Sequence, residues 1–309
     1  MKYKKALVTG GAGFIGSHLC ERLLEMGMEV ISVDDYSTGK HENIVHLSDY
    51  EKFQEVSCDI TKKKKLACYF KGVDVVFHQA ASKKTICLLN PNRDLEVNAG
   101  GTLNLLQLAV ENGVKKFVHA STGSIYGEPK VFPQSESHPL NPVSYYGVSK
   151  LAGEKYVALF NYQHGLDTTI LRYFHVYGNR QENSQYGGVV AIFIRNLMNG
   201  EPVTVFGSGD QERTPTYVED VIEANIRAMD MPISKGKTYN CVSDNVLTVN
   251  EIHQGIARAM KVYAYPVEHG DPTVGDIMKF DVDNTRIKKD LWIGFRNDFE
   301  QTITEMLGA

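Results

Sequence analysis

Residues 142–150 read PVSYYGVSK: two tyrosines stand before a lysine that only one of them can use. If the chain is helical from Tyr145, each residue turns by about 100°. Tyr146 and Lys150 are then offset by about 40° and share a face, whereas Tyr145 is about 140° away from the lysine. A free phenol titrates near ~10, and bringing it toward ~7 takes about 4 kcal/mol of differential phenolate stabilisation. An ammonium and a positively charged nicotinamide together could supply that and make Tyr146 a base. Thr122 adds a third group, just past the apolar run that ends in VHASTGSIYG. Ligands of open α/β sheets gather at the carboxyl ends of strands. A hydroxyl there can bond the substrate oxygen that Tyr146 deprotonates. YxxxK alone occurs often by chance, so the surrounding elements must carry the reading.

Those elements alternate. Apolar runs at Ala6–Thr9, Val30–Val33, Val73–Phe77, Phe117–Ala120 and Thr168–Leu171 read as strands. Helical patterns at Ser17–Met26, Asn98–Asn112 and from Tyr145 separate several of them. Near-continuous apolar strands between helices predict an α/β fold, a Rossmann-type doubly wound parallel sheet. After about Phe174 glycine and proline punctuation increases. The expected organisation is a dinucleotide-binding domain over 1–173 and a smaller mixed α/β substrate-binding lobe over 174–309, with some segments returning to the first. The lysines at 62–65 read as a solvated helix face, with Thr61 a candidate N-cap.

TGGAGFIGSHL, residues 9–19, sits between the first strand and its helix. Gly10 and Gly11 allow the turn. Gly13 lets backbone approach a pyrophosphate, whose charge suits a helix N-terminus, and Gly16 permits close helix–strand packing. VISVDDYSTG places Asp34 and Asp35 at the end of the second strand. Asp34 stands where a carboxylate accepts hydrogen bonds from an adenosine ribose and repels a 2′-phosphate, so NAD is expected over NADP.

Composition excludes other classes. The 309 residues carry a formal charge of −4, with no basic excess for nucleic acid. No run approaches the ~18 apolar residues of a membrane span. The five cysteines are scattered, with no CxxC, and the ten histidines form no HExxH. This pattern reads as reduced thiols in the cytoplasm and no metal site.

TGGAGFIGSHL, Asp34–Asp35, Asp59–Ile60, HQAA, VNAGGTLNLL, STGSIYG, YYGVSK, LRYFHVYGNRQ and TYVEDV follow one another along nearly the whole chain. In this order they resemble the extended short-chain dehydrogenase/reductases of the NAD-dependent epimerase/dehydratase family, most of all the UDP-glucose 4-epimerase-like group. The resemblance implies NAD and a nucleotide-diphosphate sugar substrate. It makes Tyr146 the base, Lys150 the group that lowers its pKa and binds the nicotinamide ribose, and Thr122 the partner of the sugar 4-oxygen. It places Phe14, Ile15, Asp34, Asp35, Ser37, Thr38, Gly39, Asp59, Ile60, Gln79, Ala80, Ala81, Lys83, Asn98 and Phe174 at the cofactor. Asp59 would take the adenine amine, although a helix N-terminal acid is an equally ordinary use. It also implies a homodimer through the helices carrying Asn98 and Tyr146.

The loop after Thr122 selects the chemistry. Family dehydratases carry two carboxylates there and the decarboxylases a glutamate; this chain has Gly123 and Ser124. The remaining outcome is C4 oxidation with return of the hydride, a 4-epimerase. The alternative is a 4-dehydrogenase or other C4-oxidising enzyme on a GDP-, CDP- or dTDP-sugar; a 4,6-dehydratase is disfavoured. A third class, a non-catalytic NAD sensor, would be expected to lose Tyr146 or Lys150. The substrate lobe departs from the family: RYFN reads Arg172-Tyr173-Phe174-His175, and the second clamp arginine is replaced within Thr273-Val274-Gly275-Asp276. Expected substrate residues are Lys84, Thr122, His175, Val189, Val205, Phe206, Arg213, Asp276 and Phe280, with Lys84 and His175 as replacements for the lost clamp.

Overall fold

A computed structural model describes residues 2–82, 84–184, 187–272 and 277–308. Six strands come from the stretch before residue 174: β1 (Lys5–Thr9), β2 (Glu29–Asp34), β3 (Phe53–Ser57), β4 (Val75–His78), β5 (Lys116–Thr122) and β6 (Thr168–Tyr173). A seventh, Lys237–Cys241, returns from the second half and pairs with β6. The order is seventh strand, β6, β5, β4, β1, β2, β3, with every pair parallel. Strand progression reverses between β4 and β1, which opens a crevice at their carboxyl ends.

The apolar pattern explains the layers. Both faces of the central strands are buried, so neither can face water. On one side Leu19 and Leu23 of the first helix, Phe14–Glu25, pack with Val221 and Ile222 of Val218–Asp230. On the other, Leu105 and Leu106 pack with Val157 and Phe160. The second half builds its own core from Val203, Val205, Ile252, Ile256, Phe299 and Ile303.

The helix Tyr145–His164 is set by its ends and its glycines. The Ser144 hydroxyl accepts the Gly147 N–H at 3.1 Å, and Gly165 ends the helix at φ +67°. A Cβ at Gly147 would lie 2.6 Å from the Ser124 carbonyl oxygen, so only glycine lets the helix rest on the loop after β5. Two expectations shift. The helix assigned to Asn98–Asn112 starts earlier: Asn90 caps Pro91–Leu95, Glu96–Gly101 forms a wider π turn, and Thr102–Glu111 continues it. Proline suits a first helical turn, which accounts for the early start. Thr61 is not an N-cap, because its N–H is drawn to the Asp59 carboxylate at 2.8 Å and the following helix is only Lys63–Leu66.

Beneath the sheet's carboxyl end, Arg172 holds Glu154 through two bonds of 3.0 and 2.8 Å. Both side chains are about 95% buried, and Arg172 also donates to the Tyr126 hydroxyl at 2.7 Å. Removing one partner strands a buried charge. Glu154→Ala should lower unfolding stability by about 3–5 kcal/mol, measured by urea denaturation.

Candidate active site

The crevice leads into a cavity of about 360 Å³. Gly10, Gly13, Phe14, Ile15 and Gly16 form one wall. A Cβ at Gly16 would lie 2.0 Å from the Gly10 carbonyl oxygen, so the loop closes only on glycine. Asp34, Asp35, Ser37 and Thr38 from the end of β2, and Asp59 and Ile60 past β3, form the far end. Gln79, Ala80 and Ala81 follow β4. The sequence reading is brought together here around one cleft. Gly39 stands just outside it, where a Cβ would lie 2.7 Å from the Asp34 carboxylate. Asp34 accepts the Ala12 and Tyr36 N–H groups at 3.0 and 2.9 Å, and burial raises its pKa. A glycine cradle at a helix N-terminus, with a carboxylate on the neighbouring strand, fits a dinucleotide.

Two predicted cofactor residues do other work. Asn98 is buried, and its amide is committed: its oxygen accepts Ser82 N–H at 2.9 Å, and its nitrogen donates to Asp94 at 2.7 Å and Ser149 at 3.0 Å. It positions the cleft wall instead of lining it. The Phe174 ring is buried under the loop at Gly123 and stacks on Tyr126, with centroids 6.3 Å apart. Lys83, Asp276 and the Lys84 side chain lie outside the described residues.

At the end of β5, Thr122 turns the chain by accepting the Ser124 N–H at 3.1 Å. Tyr146 is half-buried beside it. Burial pushes the phenol up to about 12, with hydrogen bonding to the Thr122 hydroxyl acting in the opposite direction. Lys150 is fully enclosed, and its ammonium donates to the Ala120 carbonyl at 2.5 Å. Burial pulls it down to about 8, against the charges of Glu154 and Asp94. In this geometry the lysine is held on β5, and Thr122 is the group acting on the phenol. Tyr145 is 58% exposed and points away, as the helical offset required.

The substrate-lobe residues are more scattered. Val189, His175 and Arg213 share a small cavity of about 50 Å³. His175 sits at φ +39° and packs edge-on to Phe280, with centroids 4.8 Å apart. Its Nδ1 accepts the Thr214 N–H at 3.1 Å, which leaves the ring proton on Nε2. Burial lowers it to about 3, helped by the charge of Arg213. It stays neutral and cannot replace a missing arginine's charge. One Arg213 nitrogen donates to the Glu212 and Ile277 carbonyls. Val205 is fully buried in the second core, so its side chain has no surface for a ligand, and Phe206 is exposed beside Gly270.

The sequence reading missed Arg93, Ser82, Cys58 and Val97 on the cavity wall. For Arg93 a signal existed, since Asn90–Pro91 marks a helix start that places it in the first turn. Cys87 is buried and donates to Asp94 at 2.6 Å. No cluster of metal ligands occurs among the described residues, and no described helix is long and apolar enough to cross a membrane.

The profile of the NAD dependent epimerase/dehydratase family matches residues 6–241. The chain belongs to that family. It is 38% identical over 291 residues to the UDP-glucose 4-epimerase of Mycolicibacterium smegmatis, covering 92% of this chain and 91% of that one. The Thermotoga maritima UDP-glucose 4-epimerase, solved with UDP-glucose, superposes with a TM-score of 0.92 at 36% identity, covering 98% and 97% of the two chains. The Thermus thermophilus UDP-glucose 4-epimerase, solved with NAD, gives 0.87 at 35% identity, covering 99% of each. The chain is thus an NAD-dependent enzyme with the extended short-chain dehydrogenase/reductase fold.

Near Lys150, His78 and His119 lie against each other at a tilt of 45°, with centroids 5.1 Å apart. Both are fully buried, and burial holds each pKa well below 6.5. Neither His119 nitrogen has a hydrogen-bond partner among the described residues. Such groups stay neutral in the fold but bind protons near ~6.5 when unfolded. Their contribution is full above about pH 6.5 and is lost as the pH falls toward the folded values. Below pH 6.5 each should cost about 1.4 kcal/mol of stability per pH unit. Urea titrations from pH 7 to 5 should show this slope, and His119→Phe should flatten it by about one proton.

Proposed function

We propose that the protein is a nucleotide-sugar 4-epimerase acting on UDP-glucose and UDP-galactose. The observation that carries this is that the helix bearing Tyr146 rests, at Gly147, on the loop that Thr122 begins, and that loop has no carboxylate at Gly123 or Ser124. Such a site can move one proton and hold one oxygen, but it lacks the acid–base pair for loss of water. The relatives named for UDP-glucose epimerisation support the same reading.

The glycine loop, Asp34 and Asp59 would hold NAD, which would supply a reversible hydride acceptor for C4. Tyr146 takes the proton of the 4-hydroxyl, and Thr122 holds that oxygen in place. With a pKa raised to about 12 the phenol stays protonated near neutrality, so forming the phenolate base needs added positive charge, which the oxidised cofactor beside Lys150 would provide. Rotation of the 4-keto sugar before hydride return gives the epimer. Arg213 would face the diphosphate, and His175 would offer one neutral donor. That altered lobe motivates the second reading, the same C4 oxidation on a GDP-, CDP- or dTDP-sugar.

We infer that two copies pair. Tyr145, Val148, Leu159 and Tyr162 are exposed along one face of the catalytic helix, at 58, 54, 41 and 87%. That face is apolar enough to be covered by a second copy, and it gives Tyr145 a role outside the chemistry.

UDP-glucose incubated with the protein should yield UDP-galactose by proton NMR. Tyr146→Phe should lower kcat by about 10²–10⁴-fold while leaving NAD affinity within a few-fold. Conversion by the variant at the wild-type rate would remove Tyr146 from the mechanism. A wild type that leaves UDP-glucose unchanged but converts another nucleotide sugar would favour the second reading.

A further inference from the structure

The cavity end formed by β2 and β3 gathers three carboxylates, Asp34, Asp35 and Asp59. Among the described lining residues the only cation is Arg93. Its Nη2 lies 3.1 Å from Asp35 Oδ2 and 3.0 Å from Asp59 Oδ2. Both carboxylates are prepared for it. Asp35 Oδ1 accepts the Ser37 N–H at 3.0 Å and hydroxyl at 2.6 Å, and Asp59 Oδ1 accepts the Thr61 N–H at 2.8 Å. Each loop thus pins one oxygen and presents the other to the same guanidinium. Glu96, at 4.0 Å, is the remaining acid near Arg93, and it is mostly exposed.

The topology makes this more than a surface ion pair. Arg93 sits on Pro91–Leu95, in the connection after β4. Asp35 and Asp59 follow β2 and β3, on the other side of β1. The bridge therefore spans the switch-point crevice above the glycine loop. A dinucleotide entering or leaving that end must pass the bridge or break it. The guanidinium also offsets charge that would otherwise repel a pyrophosphate. Each carboxylate oxygen can accept two bonds, so Asp59 can serve Arg93 and a ligand N–H together.

We propose that Arg93 is a latch on the cofactor cleft: its bridge to Asp35 and Asp59 closes the adenosine end and sets how fast the dinucleotide leaves. The inference rests on the cofactor and not on the sugar reaction, so the test contains no sugar. Protein loaded with NADH is mixed with excess NAD, and the loss of bound-NADH fluorescence gives the release rate.

Arg93→Met should release NADH about tenfold faster or more, as expected when a charge-assisted bridge is lost. Arg93→Lys should recover only part of this, because a point charge cannot serve two carboxylates as a planar fork does. Asp35→Asn, which removes half of the bridge, gives a smaller acceleration and tests the latch if Arg93→Met fails to fold. The three side chains are 22–29% exposed, so the bridge is partly screened by salt. Salt should speed release from the wild type and have less effect on Arg93→Met. An unchanged release rate with a lowered melting temperature would make the bridge a structural tie and overturn the latch. Slower release from the variant would mean that the bridge obstructs the cleft, and would overturn it equally.

Discussion

The Lys150 ammonium lies inside the protein, fully enclosed, with the Ala120 carbonyl as its hydrogen-bond acceptor. A buried ammonium is expensive, and the surrounding architecture offsets that cost. Glu154 and Asp94 supply negative charge to it. Glu154 is in turn held by Arg172, which reaches on to Tyr126. Asp94 is held by Asn98 and Cys87 at the π turn. Asn98 also fixes Ser82 on the cofactor wall and Ser149 on the catalytic helix. One buried charge thereby links the sheet, the cofactor cleft and the helix that carries Tyr146.

The phenol shows why the cleft and the catalytic group must be one unit. Tyr146 stands where burial raises its pKa, which alone would keep the phenol protonated near neutrality. The same burial lets a nearby positive charge act strongly, because little water intervenes. In the proposed mechanism the site is therefore quiet without its cofactor and competent with it. Thr122 provides part of the stabilisation at all times, since it is held by the loop it begins.

Much of this was legible in the sequence because it depends on local periodicity. The glycine loop, the strand ends and the Tyr146–Lys150 offset all follow from short-range geometry, and the structure places them as the spacing required. Tyr145 is the clearest case, since one helical step sends it outward. What escaped depends on distant chain segments. Arg93 meets Asp35 and Asp59 only because the sheet order folds the β4 connection over β1. Asn98 looks like a cofactor ligand until Asp94 and Ser149 are seen to occupy its amide. Val205 stood among the expected substrate residues, but its side chain packs into the second core. The lost clamp in the substrate lobe could be seen as an absence, whereas the neutrality of His175 required the Thr214 N–H and the burial around it.

The most direct test is the titration of Tyr146 itself. Tyrosine labelled with carbon-13 at Cζ, with Tyr146→Phe to assign the signal, reports the phenol pKa by NMR in cofactor-free and NAD-loaded protein. The account predicts a value above that of free tyrosine without cofactor, and a fall of several units toward neutrality with NAD bound. A phenol already acidic without cofactor, or one that does not move when NAD binds, would contradict it.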